Sequence, residues 1–265
     1  MATYAFSDLH SQYNLWKQIK EYIKPTDTVY CLGDCIDRGD AGLKILQEVI
    51  AAPNITLLRG NHEDFILQIG RKIIDFAIEN DYDLTKDWEV VWNCPSVNLW
   101  FSNSGYRTIE DFCKLSIEEQ TKLVKTIKEL PTHITIENEN SDEIFLCHAG
   151  TSPKRFHTIN CKNPLKGRII DIDSYIWDRD HLLETKWSGK DNEYCVHGHT
   201  PVKYMHYLLP PEVKYPYTRF EIFKYCEGHK INIDLGSMDT HRTCLFNLDT
   251  FEPIYFKDKE CFNES

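Results

Sequence analysis

The chain has 265 residues and carries a net charge of −11, from 30 Lys and Arg against 41 Asp and Glu. At 42% hydrophobic and 12% aromatic it has the composition and length of one globular α/β domain with a full core. Such an acidic surface repels a phosphate backbone, which argues against binding long nucleic acids by counterion release. The ten cysteines are scattered, with no C-x-x-C pair, so neither a zinc ribbon nor a thioredoxin-type site is expected. The N-terminus, MATYAFSDLH, has no basic segment leading into a long apolar run, and no stretch reaches the length of a membrane span. These features predict a cytoplasmic protein with reduced thiols and no membrane partner.

In chain order, Thr3–Ser7 reads as a buried strand, followed by a helix with Leu15, Ile19, Tyr22 and Ile23 on one face. Thr28–Leu32 is the next strand, Leu43, Leu46 and Ile50 mark the next helix, and Ile55–Leu58 is the third strand. Repeats of this length predict parallel βαβ crossovers and hence an α/β layered fold. A third helix carries Phe65, Ile69, Ile73 and Phe76 on one side. Residues 81–130 lose the strand pattern and read as a mostly helical, aromatic-rich insertion that covers the sheet as scaffold. Within it, Ser116 and Glu119 form a capping box and Pro131 ends the helix they open. Strands return at His133–Glu137, Ile144–Cys147 and Tyr194–His197. The tail (Phe220–Cys226, Ile231–Asp234, Cys244–Leu248, Pro253–Phe256) reads as an antiparallel meander turning at Glu227-Gly228. The expected fold class is therefore α/β, with two mixed β-sheets in a central sandwich flanked by helices, over a single domain of residues 1–265.

Polar residues suited to metal binding follow one strand after another. Asp8 and His10 follow the first, Asp34 and Asp37 the second, and Asn61 and His62 the third, while His148 and His199 each follow a later one. The carboxyl ends of strands form the ligand crevice of open α/β sheets, so one fold brings all of them to one edge. Each alone is commonly a turn former or a cap. Several together, with Gly33, Gly39, Gly60 and Gly198 beside them, are hard to read that way, because glycine permits positive φ or close backbone approach.

Asp8-x-His10, Gly33-Asp34-x-x-Asp37-Arg38-Gly39, Gly60-Asn61-His62-Glu63, His148-Ala149-Gly150 and Gly198-His199-Thr200-Pro201 appear in that order. Together they resemble the signatures of the phosphoprotein phosphatase (PPP) family of metallophosphoesterases, which have the calcineurin-like metallophosphoesterase fold. Asn103–Thr108, Tyr175–Arg179 and Asn232–Gly236 resemble its bacterial and phage branch, that of the bacteriophage lambda protein phosphatase and the diadenosine tetraphosphate hydrolases. Ser104, Asp40 and Leu235 depart from that branch's usual Gly, Pro and Thr, at positions that bear on substrate rather than on chemistry.

The resemblance implies two divalent metal ions, with Asp34 bridging them, Asp8 and His10 completing one site, and Asn61, His148 and His199 the other. Nitrogen and oxygen donors of this kind suit Mn²⁺ best, with Fe or Zn²⁺ as alternatives. It further implies that metal-activated water attacks the phosphate, that Arg38 and Arg179 grip it, and that His62, oriented by Asp37, protonates the leaving alkoxide. Glu63 and Asp234 are expected to stand behind the ligands and orient them. Cys35, inside the metal-binding loop, is a candidate for oxidation sensitivity. His133, His157, His181, His206, His229 and His241 fall in no ligand pattern, and His197 reads as strand-end packing.

The substrate expected from the resemblance is a phosphoprotein or phosphopeptide, hydrolysed by a serine/threonine phosphatase. A dinucleoside polyphosphate, as for a diadenosine tetraphosphate hydrolase, is the alternative. A non-catalytic binder of phosphorylated partners would be expected to lack ligands, and none is missing. No regulatory subunit is evident from the sequence.

Overall fold

The computed structural model describes residues 1–151, 173–210 and 218–258. His157, Cys161 and Cys261 lie outside them.

The first sixty residues form the βαβαβ unit that their periodicity predicts: β1 (Thr3–Phe6), α1 (Tyr13–Tyr22), β2 (Thr28–Cys31), α2 (Gly42–Ala51) and β3 (Ile55–Leu57). β1 pairs parallel with β2, and β2 with β3. A continuous helical path follows, from α3 (Asn61–Phe65) through a π-helical turn at Ile66–Gly70 into α4 (Arg71–Glu79). Residues 81–130 are helical as expected, with a 3₁₀ turn at Trp88–Asn93 and then α5 (Val97–Ser102), α6 (Tyr106–Cys113) and α7 (Ile117–Glu129). The capping box is present: the Ser116 hydroxyl accepts from Glu119 N–H while Glu119 reaches back to Ser116 N–H.

β4 (His133–Glu137), β5 (Glu143–Cys147), β6 (Glu193–His197), β7 (Phe223–Tyr225) and β8 (Lys230–Asn232) make a second sheet in the order β4-β5-β6-β8-β7. β9 (Arg242–Asn247) and β10 (Glu252–Lys257) return to the first sheet, whose order is β10-β9-β1-β2-β3. The tail is therefore not one meander. β7–β8 and β9–β10 are two antiparallel hairpins, and the chain changes sheets between them. Both sheets are mixed, as expected. The first is parallel from β1 to the β3 edge and antiparallel through β9 and β10 on the other side. The second has a parallel centre with an antiparallel pair on each flank.

Alternation along the strands decides which face meets which layer. Tyr4 and Phe6 of β1, with Val29 and Cys31 of β2, pack into the helical layer alongside Leu15, Ile45, Ile73 and Phe112. Ala5, Leu32, Leu58 and Phe246 face the other way and pack against Ile144, Leu146, Val196 and Ile231 of the second sheet. That apolar interior holds the two sheets face to face. It also brings the carboxyl ends of β1, β2, β3, β5 and β6 to one edge, and the predicted polar residues lie there.

Candidate metal centre

The loops leaving these strands are unusually contorted. Asp8, His10, Ser11, Asp34, Asp37, Arg38 and His199 all have positive φ, between 41° and 67°, although none is glycine. Such residues cost energy, and clusters of them mark sites that the surrounding structure holds in place. The glycines serve close approach: a Cβ on Gly60 would sit 2.2 Å from Asp34 Oδ1, and one on Gly198 2.1 Å from Asp8 Oδ2.

Asp34 stands at the centre. Its Oδ2 lies 3.4 Å from His148 Nε2, 3.6 Å from His10 Nε2 and 3.8 Å from His62 Nε2. Burial alone would raise its pKa, but His148 and His62 outweigh burial and hold it well below the ordinary carboxylate value. On one side, His10, Asp34 and His62 bring one ligand atom each together; on the other, Asp34, His148 and His199 do so. All are buried.

Hydrogen bonding shows which way the imidazoles point their lone pairs. His10 Nδ1 faces the Ile36 carbonyl at 3.0 Å and His148 Nδ1 faces the Leu32 carbonyl at 2.9 Å. A carbonyl only accepts, so both Nδ1 atoms carry the proton and both Nε2 atoms turn toward Asp34. His148 Nε2 then meets Asn61 Oδ1 at 2.9 Å and His199 Nδ1 at 3.2 Å, and Asn61 Oδ1 is also 2.9 Å from His199 Nδ1. Electron pairs that converge so closely need a cation or a proton among them. In the bare protein burial disfavours a charged His148, yet Asp34, then Asp8 and Glu63, push it up to about 10. On the other side Asp8 receives the Ser7 hydroxyl and the His199 N–H on Oδ2, while its buried Oδ1 has no hydrogen-bond partner and lies 3.9 Å from His10 Nε2. An orphaned carboxylate oxygen beside a neutral imidazole is what a cation site leaves exposed to its ion. The donor set fits two divalent cations, one on each side of Asp34.

Glu63 braces these loops through the backbone. Its carboxylate accepts from the N–H groups of Asp34 and Cys35 at 2.8 Å each and of Gly60 at 3.1 Å. Burial and then Asp34 push its pKa up to about 7. Asp234 lies buried next to Asp8 and Arg179, with Oδ1 accepting from Gly236 N–H at 2.7 Å and Oδ2 unpartnered. Burial, followed by the Asp8 charge, raises its carboxyl well above the ordinary range.

The remaining predicted residues also reach this edge. His62 Nδ1 is 2.6 Å from Asp37 Oδ2, and Arg38 donates to His62 Nε2 across 3.2 Å. Burial works against a charged His62, but Asp34 and Asp37 outweigh it and raise its pKa. Arg179 donates from Nε to the Thr200 hydroxyl at 3.1 Å, one residue from His199. Cys35 is fully buried, and its contact with Cys31 together with burial raises its pKa well above that of an ordinary thiol, which makes it a poor target for oxidation.

Several contacts matter that sequence reasoning did not anticipate. Trp100 donates its indole N–H to both oxygens of Asp37, the Asp37 N–H donates to the Thr108 hydroxyl, and the Arg38 N–H donates to the Ser104 carbonyl. The helical region is thus more than a cover. On the other flank, Tyr225 hydroxyl bridges His197 Nε2 at 2.8 Å and His181 Nδ1 at 3.2 Å, and His181 Nε2 donates to the Ala149 carbonyl at 2.7 Å. The signal for Trp100 was its need, once buried, to find an acceptor for its N–H.

Residues 1–233 match the sequence profile of the family described as Calcineurin-like phosphoesterase. The chain is also 29% identical over 158 residues to Serine/threonine-protein phosphatase 2 of Salmonella typhimurium. That match covers 60% of this chain and 57% of the relative's own length. Similar solved structures include a metallophosphoesterase from Sphaerobacter thermophilus, with a TM-score of 0.53 at 16% identity over 98% of this chain and 89% of that one. A candidate diadenosine tetraphosphatase gives 0.51 at 13% identity over 96% and 92%, and a protein serine/threonine phosphatase of Saccharomyces cerevisiae gives 0.51 at 12% over 97% and 80%. At such identities the structures speak for the shared fold. The profile match spans all five of the strand-end loops that carry the expected ligands, and by it the chain belongs to the calcineurin-like phosphoesterase family of hydrolases.

Proposed function

We propose that the chain is a serine/threonine protein phosphatase of the PPP type, hydrolysing phosphomonoesters with two divalent cations, Mn²⁺ by preference. The observation that carries this reading is the His62–Asp37 pair, with Arg38 alongside, set at the rim of the cage around Asp34. Asp8, His10 and Asp34 would hold one cation, and Asp34, Asn61, His148 and His199 the other. When bound, the pair supplies Lewis acidity, polarising the phosphoryl oxygens and lowering the pKa of water at the site.

The protein's own groups do the rest. Arg38 and Arg179 offer planar guanidinium donors to the phosphoryl oxygens, where negative charge builds as water attacks phosphorus. Arg38 turns from His62 to the substrate when phosphate arrives. Released from Arg38, His62 Nε2 takes up a proton from water and delivers it to the serine or threonine oxygen as the P–O bond breaks. Asp37 holds Nδ1–H and keeps the imidazole aimed.

The same chemistry would cleave a dinucleoside polyphosphate, and one observation favours that second reading. Trp92 and Tyr106 are 43% and 41% exposed, in a cluster with Trp88 and Phe101, and Arg107 lies over the Tyr106 ring. Bases stack on such surfaces. The test is turnover with Mn²⁺ on a phosphothreonine peptide and on diadenosine tetraphosphate, each with a chelator control. Faster turnover of the peptide supports the phosphatase, whereas faster turnover of the dinucleotide replaces it with the hydrolase.

A further inference from the structure

The helical region 81–130 reaches the reacting end of the site through one side chain. Trp100, on α5, donates its indole N–H to Asp37 Oδ2 at 2.9 Å and to Oδ1 at 3.1 Å. Both residues are fully buried, so water cannot replace the bond. The indole is wedged between Phe65, stacked at 6.3 Å, and Phe112 at 6.4 Å, and Phe65 in turn lies edge-on to the His62 ring at 5.7 Å. Gly105 makes room for it: a Cβ there would fall 2.1 Å from the indole Cδ1. Among the described residues, Trp100 provides the hydrogen bond to Asp37 Oδ1, while Oδ2 is shared between Trp100 and His62.

These contacts fix the plane of a carboxylate that would otherwise turn about its Cβ–Cγ bond. They satisfy Oδ1, and on Oδ2 the indole N–H joins His62 Nδ1. We infer that Trp100 is a positioning residue for proton delivery: its N–H sets the Asp37 carboxylate, and Asp37 sets the His62 imidazole against the leaving oxygen. The role rests on the reading of His62 as the leaving-group acid. It gives the helical region a part in the reaction that a sheet-covering scaffold would not have.

A positioning role predicts a loss that depends on the leaving group. A serine or threonine alkoxide must receive a proton as it departs, whereas 4-nitrophenolate leaves without one. Trp100→Phe should lower kcat on a phosphothreonine peptide by roughly 10–100-fold, as loss of an orienting partner does, with little change on 4-nitrophenyl phosphate. KM should hold for both. A second variant carries the benzothienyl isostere of tryptophan at position 100, which keeps the shape and lacks the N–H, so that a folding defect in Trp100→Phe does not decide the matter. Equal losses on both substrates with the isostere, or no loss on either, overturn the inference. His62→Asn is measured in parallel. A peptide-selective loss in His62→Asn without one at position 100 rejects Trp100 alone; an unselective loss in His62→Asn rejects the acid assignment and the inference with it.

Discussion

The two sheets contribute to one centre but hold their loops by different means. The first sheet delivers Asp8, His10, Asp34, Asp37, Asn61 and His62 from three successive strand ends, and the brace is a single carboxylate, Glu63, bonded to three backbone N–H groups. The second sheet delivers His148 and His199 from β5 and β6, and the brace there is a buried chain of side chains. Tyr225 joins His197 to His181, and His181 fastens to Ala149, next to His148. Lys230, fully buried, anchors the far end through the His181 carbonyl at 2.8 Å and Glu184 at 2.7 Å. A backbone brace within one motif fixes loop shape directly. A side-chain brace assembled from separate elements fixes it only once the second sheet is complete.

Asp34 belongs to both sides, so its removal should erase the difference. Asp34→Ala is expected to cut phosphoesterase activity by roughly 10³-fold and to abolish tight Mn²⁺ binding at both positions, as read by titration calorimetry. Retention of two equivalents of metal would contradict the central placing of Asp34. Glu63→Gln comes next. An amide cannot accept from three N–H groups with the same two oxygens, and the buried mismatch should cost about 1–3 kcal/mol of stability and lower affinity for both metals together. Tyr225→Phe separates the halves. It leaves His197 and His181 each short of a partner, and it should weaken one metal equivalent, the His148–His199 one, by roughly 10-fold or more while sparing the other. Equal weakening of both would dissolve the distinction between the two braces.

The smallest expected effect is on pH dependence. Burial, then His197 and Lys230, hold the His181 pKa well below 6.5. Unfolded, the imidazole takes up a proton near 6.5, so the unfolded state binds more protons below that pH and stability falls. The contribution is complete above pH 6.5 and is lost as pH drops toward the folded value. Urea midpoints measured from pH 7 to pH 5 should fall less steeply in His181→Asn than in the native protein, and parallel curves would remove His181 from the account.

This asymmetry tracks what could be read in advance. The βαβ order, the helical region after it, the Ser116–Glu119 cap and the strand-end placement of the five polar loops were legible because each is local: period 2 against period 3.6, or a motif only a few residues long. Glu63 was legible for the same reason, standing two residues from Asn61. The tail was misread as one meander because hairpin periodicity is identical whichever sheet a hairpin joins. The sheet switch between β8 and β9 depends on which apolar faces remain to be covered, and that is a property of the assembled layers.

Sequence by itself determined the strand-end placement of Asp8, His10, Asp34, Asp37, Asn61, His62, His148 and His199, because strand ends of an α/β sheet share an edge. Only the tertiary structure decided that Trp100 would reach Asp37 from 63 residues away, and that Tyr225 would join His181 to His197 across 44 and 28 residues. Buried N–H and O–H groups must find acceptors, and which acceptor lies within reach is fixed by packing between elements distant in sequence.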